Sequence, residues 1–414
     1  WIDKTDGKMG KFRPFMIMGW GVMTIITLLM FFTTHLVPEN MRLIYFIILY
    51  LVYIVGYTFQ TACTKAGQTV LTNDPEQRPL FSTFDMSYTS LLFAGAAMYV
   101  SNYMVPKHGG FTESFFHEFV ITVVIASGVM TAIAVAGLWE HDRTENFGTG
   151  GVQEPIKLKD MFNIIKGNRP LQMLIVAAST DKLASTVSTN SIVMVMLFGI
   201  LIGDYGVFGS ISAITMIPVL ILIQIGTRYA RKFGSKKALV VSTWMCIALY
   251  AAMFLLLWLG DPSQIRMTDM NAMSIAFVTL YILATGVRNV SGGIVIPMIP
   301  DITDYEVYKN DRYAPGVMGT IFSFVDKMIS SLGQTIIGIL LAYIGFKEVF
   351  PSVDTPPSEE IFWVTMFLFV GMMILGWVAS LIAMKFYELD DKRMAEIQME
   401  LADRRDAKKA AIEQ

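Results

Sequence analysis

Apolar runs of about twenty residues, separated by short charged or Pro/Gly-rich breaks, recur along the whole chain. Roughly twenty consecutive apolar residues span the hydrocarbon core of a bilayer as a helix. Reading such windows between the breaks gives ten candidate helices, at about 15–34, 43–63, 86–106, 118–138, 171–201, 205–226, 239–259, 273–298, 317–345 and 362–386. The pattern predicts an all-α, polytopic membrane protein.

Composition agrees. The 414 residues are 54% hydrophobic, 12% aromatic and only 16% charged, with a mean hydropathy of +0.53. A water-soluble domain carries roughly 25% charge, so this chain cannot cover a water-facing surface. That excludes a soluble enzyme, a nucleic-acid binder and a disordered regulator. The net charge of −2 adds no bias toward nucleic acid or acidic lipid. Cys63 and Cys246 lie inside apolar runs and offer neither a disulfide framework nor zinc spacing. There is no Walker-type phosphate loop, and His35, His108, His117 and His141 make no metal pattern. The chain is therefore read as no enzyme, with no cofactor and no metal.

Positive charge supplies an orientation. Taken alternately, residues 1–14, 72–85, 140–170, 228–237, 301–316 and the tail from 385 hold 24 of the 32 Lys and Arg. The opposite loops hold Arg42, Lys107, Arg266 and Lys347. The positive-inside rule places the richer set, C-terminus included, in the cytoplasm, in an inner or plasma membrane. The longest connection, 140–170, contains the Gly-rich stretch Phe147–Gly151 and divides four helices from six. The expected organisation is a bundle over 1–139, a cytoplasmic linker over 140–170, a second bundle over 171–387 and a charged tail over 388–414. Repeat-built transporters have equal halves. Because the chain opens at Trp1 without an initiator Met, two further helices ahead of it would make six plus six. In the tail, Met394, Ile397 and Leu401 form an i, i+3, i+7 stripe that predicts an amphipathic helix.

Charges inside a bilayer are costly and usually mark a pathway or a partner. Four places qualify. Lys65 follows Gln60, Thr61 and Thr64 in the second window, where Gln60, Thr64 and Gln68 share one helical face. They could wall a hydrated cavity, or Lys65 could snorkel to the interface. Asp181 and Lys182 sit about 100° apart on one helix, so each would find its partner on another helix. Asp326 and Lys327 fall near mid-membrane in the ninth window, where Lys327 could meet substrate or pair with Asp181 or Asp85. Arg288 precedes Asn289, Ser291, Gly292 and Gly293, with Pro297 and Pro300 downstream, which predicts an irregular helix. Asp85 itself is explained as a helix cap.

The first loop reads Asp3-Lys-Thr-Asp-Gly-Lys-Met-Gly10-Lys-Phe-Arg13-Pro14. It resembles the signature between helices two and three of the glycoside–pentoside–hexuronide:cation symporters, a branch of the major facilitator superfamily. Leu71–Arg78, Pro300-Asp301-Ile-Thr-Asp304-Tyr305, the position of Lys327 ahead of Gly333, and Tyr387–Ile397 are similar to further family stretches in the same order. The resemblance implies two helical bundles with ten of twelve helices present and a chain that starts after helix two. It also implies a small sugar-like substrate, coupling to Na⁺ or H⁺, and gating ion pairs among Asp3, Arg13, Asp301, Asp304 and Arg312. The family's cation carboxylates fall on helices one, two and four. On helix four this chain has Thr61 and Lys65 where the family has an aspartate and an aromatic residue, so the ion stays open.

The expected activity is cation-coupled symport of a sugar, glycoside or hexuronide by a monomer, with no nucleic-acid partner. Lys65 favours an acidic sugar, while the lack of Trp on the Gln60–Lys65 helix weakens a simple one. A carrier of a non-sugar amphiphile such as a lysolipid is the second reading. The third is a non-transporting sensor, which calls for a soluble signalling domain not read in this sequence.

Overall fold

The computed structural model describes residues 9, 10, 12–71, 78–140, 142, 165–310 and 315–412. Among them the chain forms helices and no strand, and each of the ten apolar windows is helical. Seven helices are long and apolar enough to cross a membrane, and a bent pair makes an eighth. Large apolar side chains such as Leu43, Leu51, Ile125, Ile133, Ile217 and Leu259 are exposed. Such an apolar exterior suits hydrocarbon, because a helix satisfies its own backbone there and lipid accepts its side chains. The protein is a multi-pass membrane protein.

The chain divides into two units, one over Trp1–Ala96 and Tyr103–Glu154, the other over Ala97–Asn102 and Pro155–Gln414. The first unit contains α1 (Arg13–Thr33), α2 (Glu39–Leu71), most of α3 (Arg78–Tyr99) and α4 (Glu113–Gly137). Helices α1 and α2 cross at Gly19 and Gly56, where a Cβ on either would stand 2.9 Å from the other's carbonyl oxygen. Small residues at a crossing let two membrane helices touch backbone to backbone.

One polar cluster fixes how the first unit closes. Phe12 offers α1 no side-chain cap. Asp142, five residues past the end of α4, supplies it instead: its Oδ2 accepts from the Phe12 and Arg13 backbone N–H groups at 2.9 and 3.0 Å. The Arg13 guanidinium lies 3.5 Å from the same oxygen, donates to the Asp142 carbonyl at 3.2 Å and stacks over Trp139 at 4.5 Å. Gly10, at φ +80°, abuts Asp142 so closely that a side chain there would collide with it.

The second unit contains α5 (Arg169–Ser188), α6 (Ser191–Met194), α7 (Gly206–Phe233), α8 (Ser235–Leu259), α9 (Ala272–Asn310), α10 (Pro315–Tyr343), α11 (Glu359–Met366), α12 (Met372–Lys385) and α13 (Asp391–Ile412). Wide π-type turns continue α6 to Leu201 and join α11 to α12. Two expectations are corrected here. The window 171–201 is a broken span, bent by 50° between Ser188 and Ser191. Asn190 takes an extended backbone there, its Oδ1 caps α6 through the Ile192 N–H, and its Nδ2 donates to Gln334 on α10. The segment after Pro300, expected as a loop after an irregular helix, instead continues α9 unbroken to Asn310. Membrane helices tolerate proline where neighbouring elements hold the chain. Here Ile302 and Glu306 are buried one turn apart, and α13 packs on them with Ile397 and Leu401 buried and Met394 half-buried beside them.

The second unit opens as the first does. Arg169 starts α5 ahead of Pro170, lies over Phe386 at 5.8 Å and sits 3.5 Å from Glu388, just past the end of α12. The difference is burial. Arg13 and Asp142 are 4% and 0% exposed, Arg169 and Glu388 58% and 54%. Removing one partner of a buried pair costs about 3 kcal/mol or more, whereas an exposed pair contributes roughly 1 kcal/mol at most. Asp142→Ala should therefore lower the thermal unfolding midpoint of the detergent-solubilised protein far more than Glu388→Ala. Equal losses in the two variants would refute this ranking.

Candidate functional site

The polar face expected on α2 is occupied differently from the cavity wall that the sequence suggests. Gln60 is half-buried, and its Nε2 donates to the Met16 carbonyl on α1 at 2.8 Å, close to the Gly19–Gly56 crossing. The Thr61 hydroxyl donates to the Tyr57 and Thr58 carbonyls of its own helix, at 3.0 and 3.2 Å. Such back-bonding removes a hydroxyl from other partners. The side chains of Thr64, Lys65 and Gln68 lie outside the described residues, as do those of Asp85 and Asp326. Asp3 and Arg312 also lie outside them.

In the second unit the structure brings two of the sequence-predicted charges into one neighbourhood. Asp181 on α5 and Arg288 on α9 both act electrostatically on Cys246 of α8. Arg288 is half-buried and lies within electrostatic reach of the Tyr250 hydroxyl, which is also near Ser188 of α5. Ser188 in turn donates to the Phe369 carbonyl at 2.8 Å, tying α5 to the turn before α12. Tyr250 packs edge-on against Trp377 at 4.8 Å, and both rings are buried, so neither offers a free face to a sugar. Arg288 thus stands beside Tyr250 on a continuous helix rather than an irregular one.

Asp181 differs from its neighbours. Both carboxylate oxygens are shut off from solvent and accept no hydrogen bond. This corrects the expectation of a partner on another helix: the carboxylate makes no ion pair with Lys327 in this arrangement. Lys182 and Lys327 are exposed on α5 and α10.

The predicted gating residues that are described, Arg13, Asp301 and Asp304, sit in contacts within their own units. Arg13 is held by Asp142 as described above. Asp304 accepts from Gln398 Nε2 of α13 at 2.6 Å, and Arg404 donates to the Tyr308 carbonyl at 3.1 Å. Asp301 lies near the Tyr387 phenol, whose titration burial first, and this carboxylate second, push upward. Asn168 caps α5 through the Leu171 N–H and donates to the buried Glu306 at 2.9 Å. The α9 extension, the start of α5 and the tail helix are therefore clasped together at one end of the second unit.

Sequence reasoning passes over Asp142, Asn168, Glu306, Ser188 and Tyr250. The first three read as ordinary loop polars, and the last two as members of apolar windows. The distant partners of Asp142, Asn168, Glu306 and Ser188 lie 129 to 181 residues away, which no local pattern encodes. Among the described residues no group of three His, Cys, Asp or Glu side chains is placed to hold a metal ion.

A family described as MFS/sugar transport protein matches residues 1–391. The chain is 23% identical over 411 residues to the uncharacterized symporter YnaJ of Bacillus subtilis (strain 168), covering 97% of this chain and 82% of that protein. It is 22% identical to the glucuronide carrier protein homolog of Escherichia coli (strain K12), covering 99% and 84%. It is 23% identical to the isoprimeverose transporter of Lactiplantibacillus pentosus, covering 94% and 76%. Among solved structures, a bacterial homolog of the human lysosomal transporter Spinster superposes with a TM-score of 0.54 at 14% identity, covering 96% of this chain and 85% of that one. That likeness supports the fold alone. The match over nearly all of its length places the chain in the MFS/sugar transport protein family, and it is a transporter of the major facilitator superfamily fold.

Proposed function

We propose that this protein is a secondary active symporter that moves a sugar, glycoside or hexuronide together with a cation across the inner or plasma membrane. The observation that carries this reading is the family match over residues 1–391. Relatives named as a symporter, a glucuronide carrier homolog and an isoprimeverose transporter point the same way.

The physical basis is alternating access. In transporters of this type, two helical repeats rearrange about a site near the bilayer midplane. A ligand drives the change only through contacts that differ between the two states. Charges within the spans are the natural source of such contacts, because hydrocarbon penalises them whenever their partner is withdrawn. Lys65, Asp181, Lys182, Arg288 and Lys327 are these charges here, and Gln60, Thr61 and Thr64 border Lys65 on α2. Gln60 and Thr61 are committed to backbone carbonyls, so Lys65 and Lys327 are the stronger substrate contacts, both suited to an acidic sugar. The protein works as a monomer, with its C-terminal tail in the cytoplasm.

The test is uptake by proteoliposomes of labelled methyl β-glucuronide and labelled lactose, under an inward Na⁺ gradient or an inward pH gradient. Accumulation of either sugar under either gradient is the expected result. Uptake of neither, with lysolipid moved instead, would replace sugar transport by amphiphile transport. In the same assay Lys327→Ala should abolish gradient-driven accumulation while leaving insertion intact. Lys327→Arg should restore it only in part, because guanidinium is larger and keeps its proton. Wild-type uptake in Lys327→Ala would remove this residue from the mechanism.

Topology has its own check. Cys63 and Cys246 are buried and give little background to a thiol reagent. Ala410→Cys should resist an impermeant maleimide added outside intact cells and react once the membrane is opened. Labelling from outside would reverse the orientation.

A further inference from the structure

A carboxylate shut inside a helical unit with no hydrogen-bond partner among the described residues is an unusual object. Helix α5 is wedged between α12 and α10 at Asp181. The Thr180 carbonyl and the Ala184 methyl press on Gly376 of α12, where a Cβ would stand 2.9 and 2.7 Å from them. Farther along, Thr186 and Val187 lie against Gly333 of α10. Neither Asp181 oxygen reaches solvent or a hydrogen-bond donor.

The titratable groups on the packed helices have other engagements or positions. Arg288 lies beside Tyr250, and Cys246 on α8 lies within electrostatic reach of Asp181 without bonding it. Tyr281 on α9 is near Arg288. Lys327 on α10 and Lys182 on α5 are exposed, and the Asp326 side chain lies outside the described residues. On α12 the titratable group is Lys385, at its far end, and the turn over Phe367–Gly371 has none. Asp301, Asp304, Glu306 and Lys309 belong to the Asn168 end of α5, thirteen residues and about 20 Å along the helix from Asp181.

An ionised carboxylate in such surroundings is so costly that the group takes a proton instead. A hard metal cation would need several oxygen ligands at once, and among the described residues no group of three His, Cys, Asp or Glu side chains is placed to hold one. We propose that Asp181 is a proton-carrying site of the second unit, protonated in the arrangement described here and releasing its proton when the surrounding helices part. The balance is simple: the carboxylate takes H⁺ from water on one side to become the carboxyl, and after rearrangement the carboxyl returns it to water on the other, leaving the carboxylate. This rests on the symport reading and names its coupling ion as H⁺.

Two measurements test it. Infrared difference spectra of the purified full chain in lipid, wild type minus Asp181→Asn, should show a protonated-carboxyl band at neutral pH that disappears on alkaline titration. Absence of that band, with a carboxylate band in its place, would overturn the proposal. In proteoliposomes, a one-unit inward pH gradient carrying one proton per sugar supports up to about tenfold accumulation of labelled methyl β-glucuronide or lactose. Asp181→Asn, a mimic of the protonated form, should reduce this to no accumulation while retaining exchange of labelled for unlabelled sugar. Unchanged pH-driven accumulation in Asp181→Asn, or accumulation by the wild type under a Na⁺ gradient alone, would also overturn the proposal while leaving sugar transport standing. If the wild type moves neither sugar, the sugar-transport reading fails and the infrared titration decides Asp181 on its own. Should Asp181→Asn not fold, Asp181→Glu serves as the reference, because it shifts the carboxyl band rather than deleting it.

Discussion

Hydrocarbon solvates neither a charge nor an unpaired backbone group, and the rest of this structure is arranged around that constraint. Helices satisfy their own interiors, so the exposed parts are their ends and the polar side chains along them. The first unit answers the problem at α1 with a single carboxylate. Asp142 accepts from two backbone N–H groups and faces the Arg13 guanidinium, and Trp139 covers that cation. The start of the first helix is thereby fixed to the segment that follows the last helix of the same unit.

The second unit repeats the device with different burial. Arg169, Phe386 and Glu388 take the parts of Arg13, Trp139 and Asp142, but in an exposed setting. The buried work is transferred to Asn168 and Glu306, which join the start of α5 to the end of α9. The tail helix α13 then covers the α9 extension through Ile397 and Leu401. Two related ways of closing a bundle suit a fold built from repeats, in which each half must hold its shape while the halves rearrange.

Within the second unit, polar groups sort into those that hold the helices together and those free to take part in transport. Ser188 belongs to the first kind, since it is bonded to the turn before α12. Asp181 belongs to the second, because packing surrounds it without bonding it. A group whose charge state depends on its surroundings, placed between closely packed helices, links a proton to their arrangement. That is the kind of differential contact a coupled carrier requires.

The sequence by itself determined the ten helical windows, the membrane setting and the family, through motifs such as Gly10-Lys-Phe-Arg13-Pro14 that span nearly the whole chain. It also picked out Asp181 and Arg288, because a charge inside an apolar run stands out locally. Hydropathy is a sum over neighbouring residues, and lipid exposure depends on little else, so these features are legible without tertiary contacts. Only the tertiary structure decided that Asp142 caps a helix 130 residues earlier, that the fifth window breaks at Asn190, and that α9 runs on through Pro297 and Pro300. It likewise decided that Gln60 is spent on Met16, that Arg288 lies beside Tyr250, and that Asp181 has no hydrogen-bond partner among the described residues. The physical reason is the same in each case: whether a polar group is satisfied depends on which helices lie beside it, and that adjacency is set by packing between distant segments.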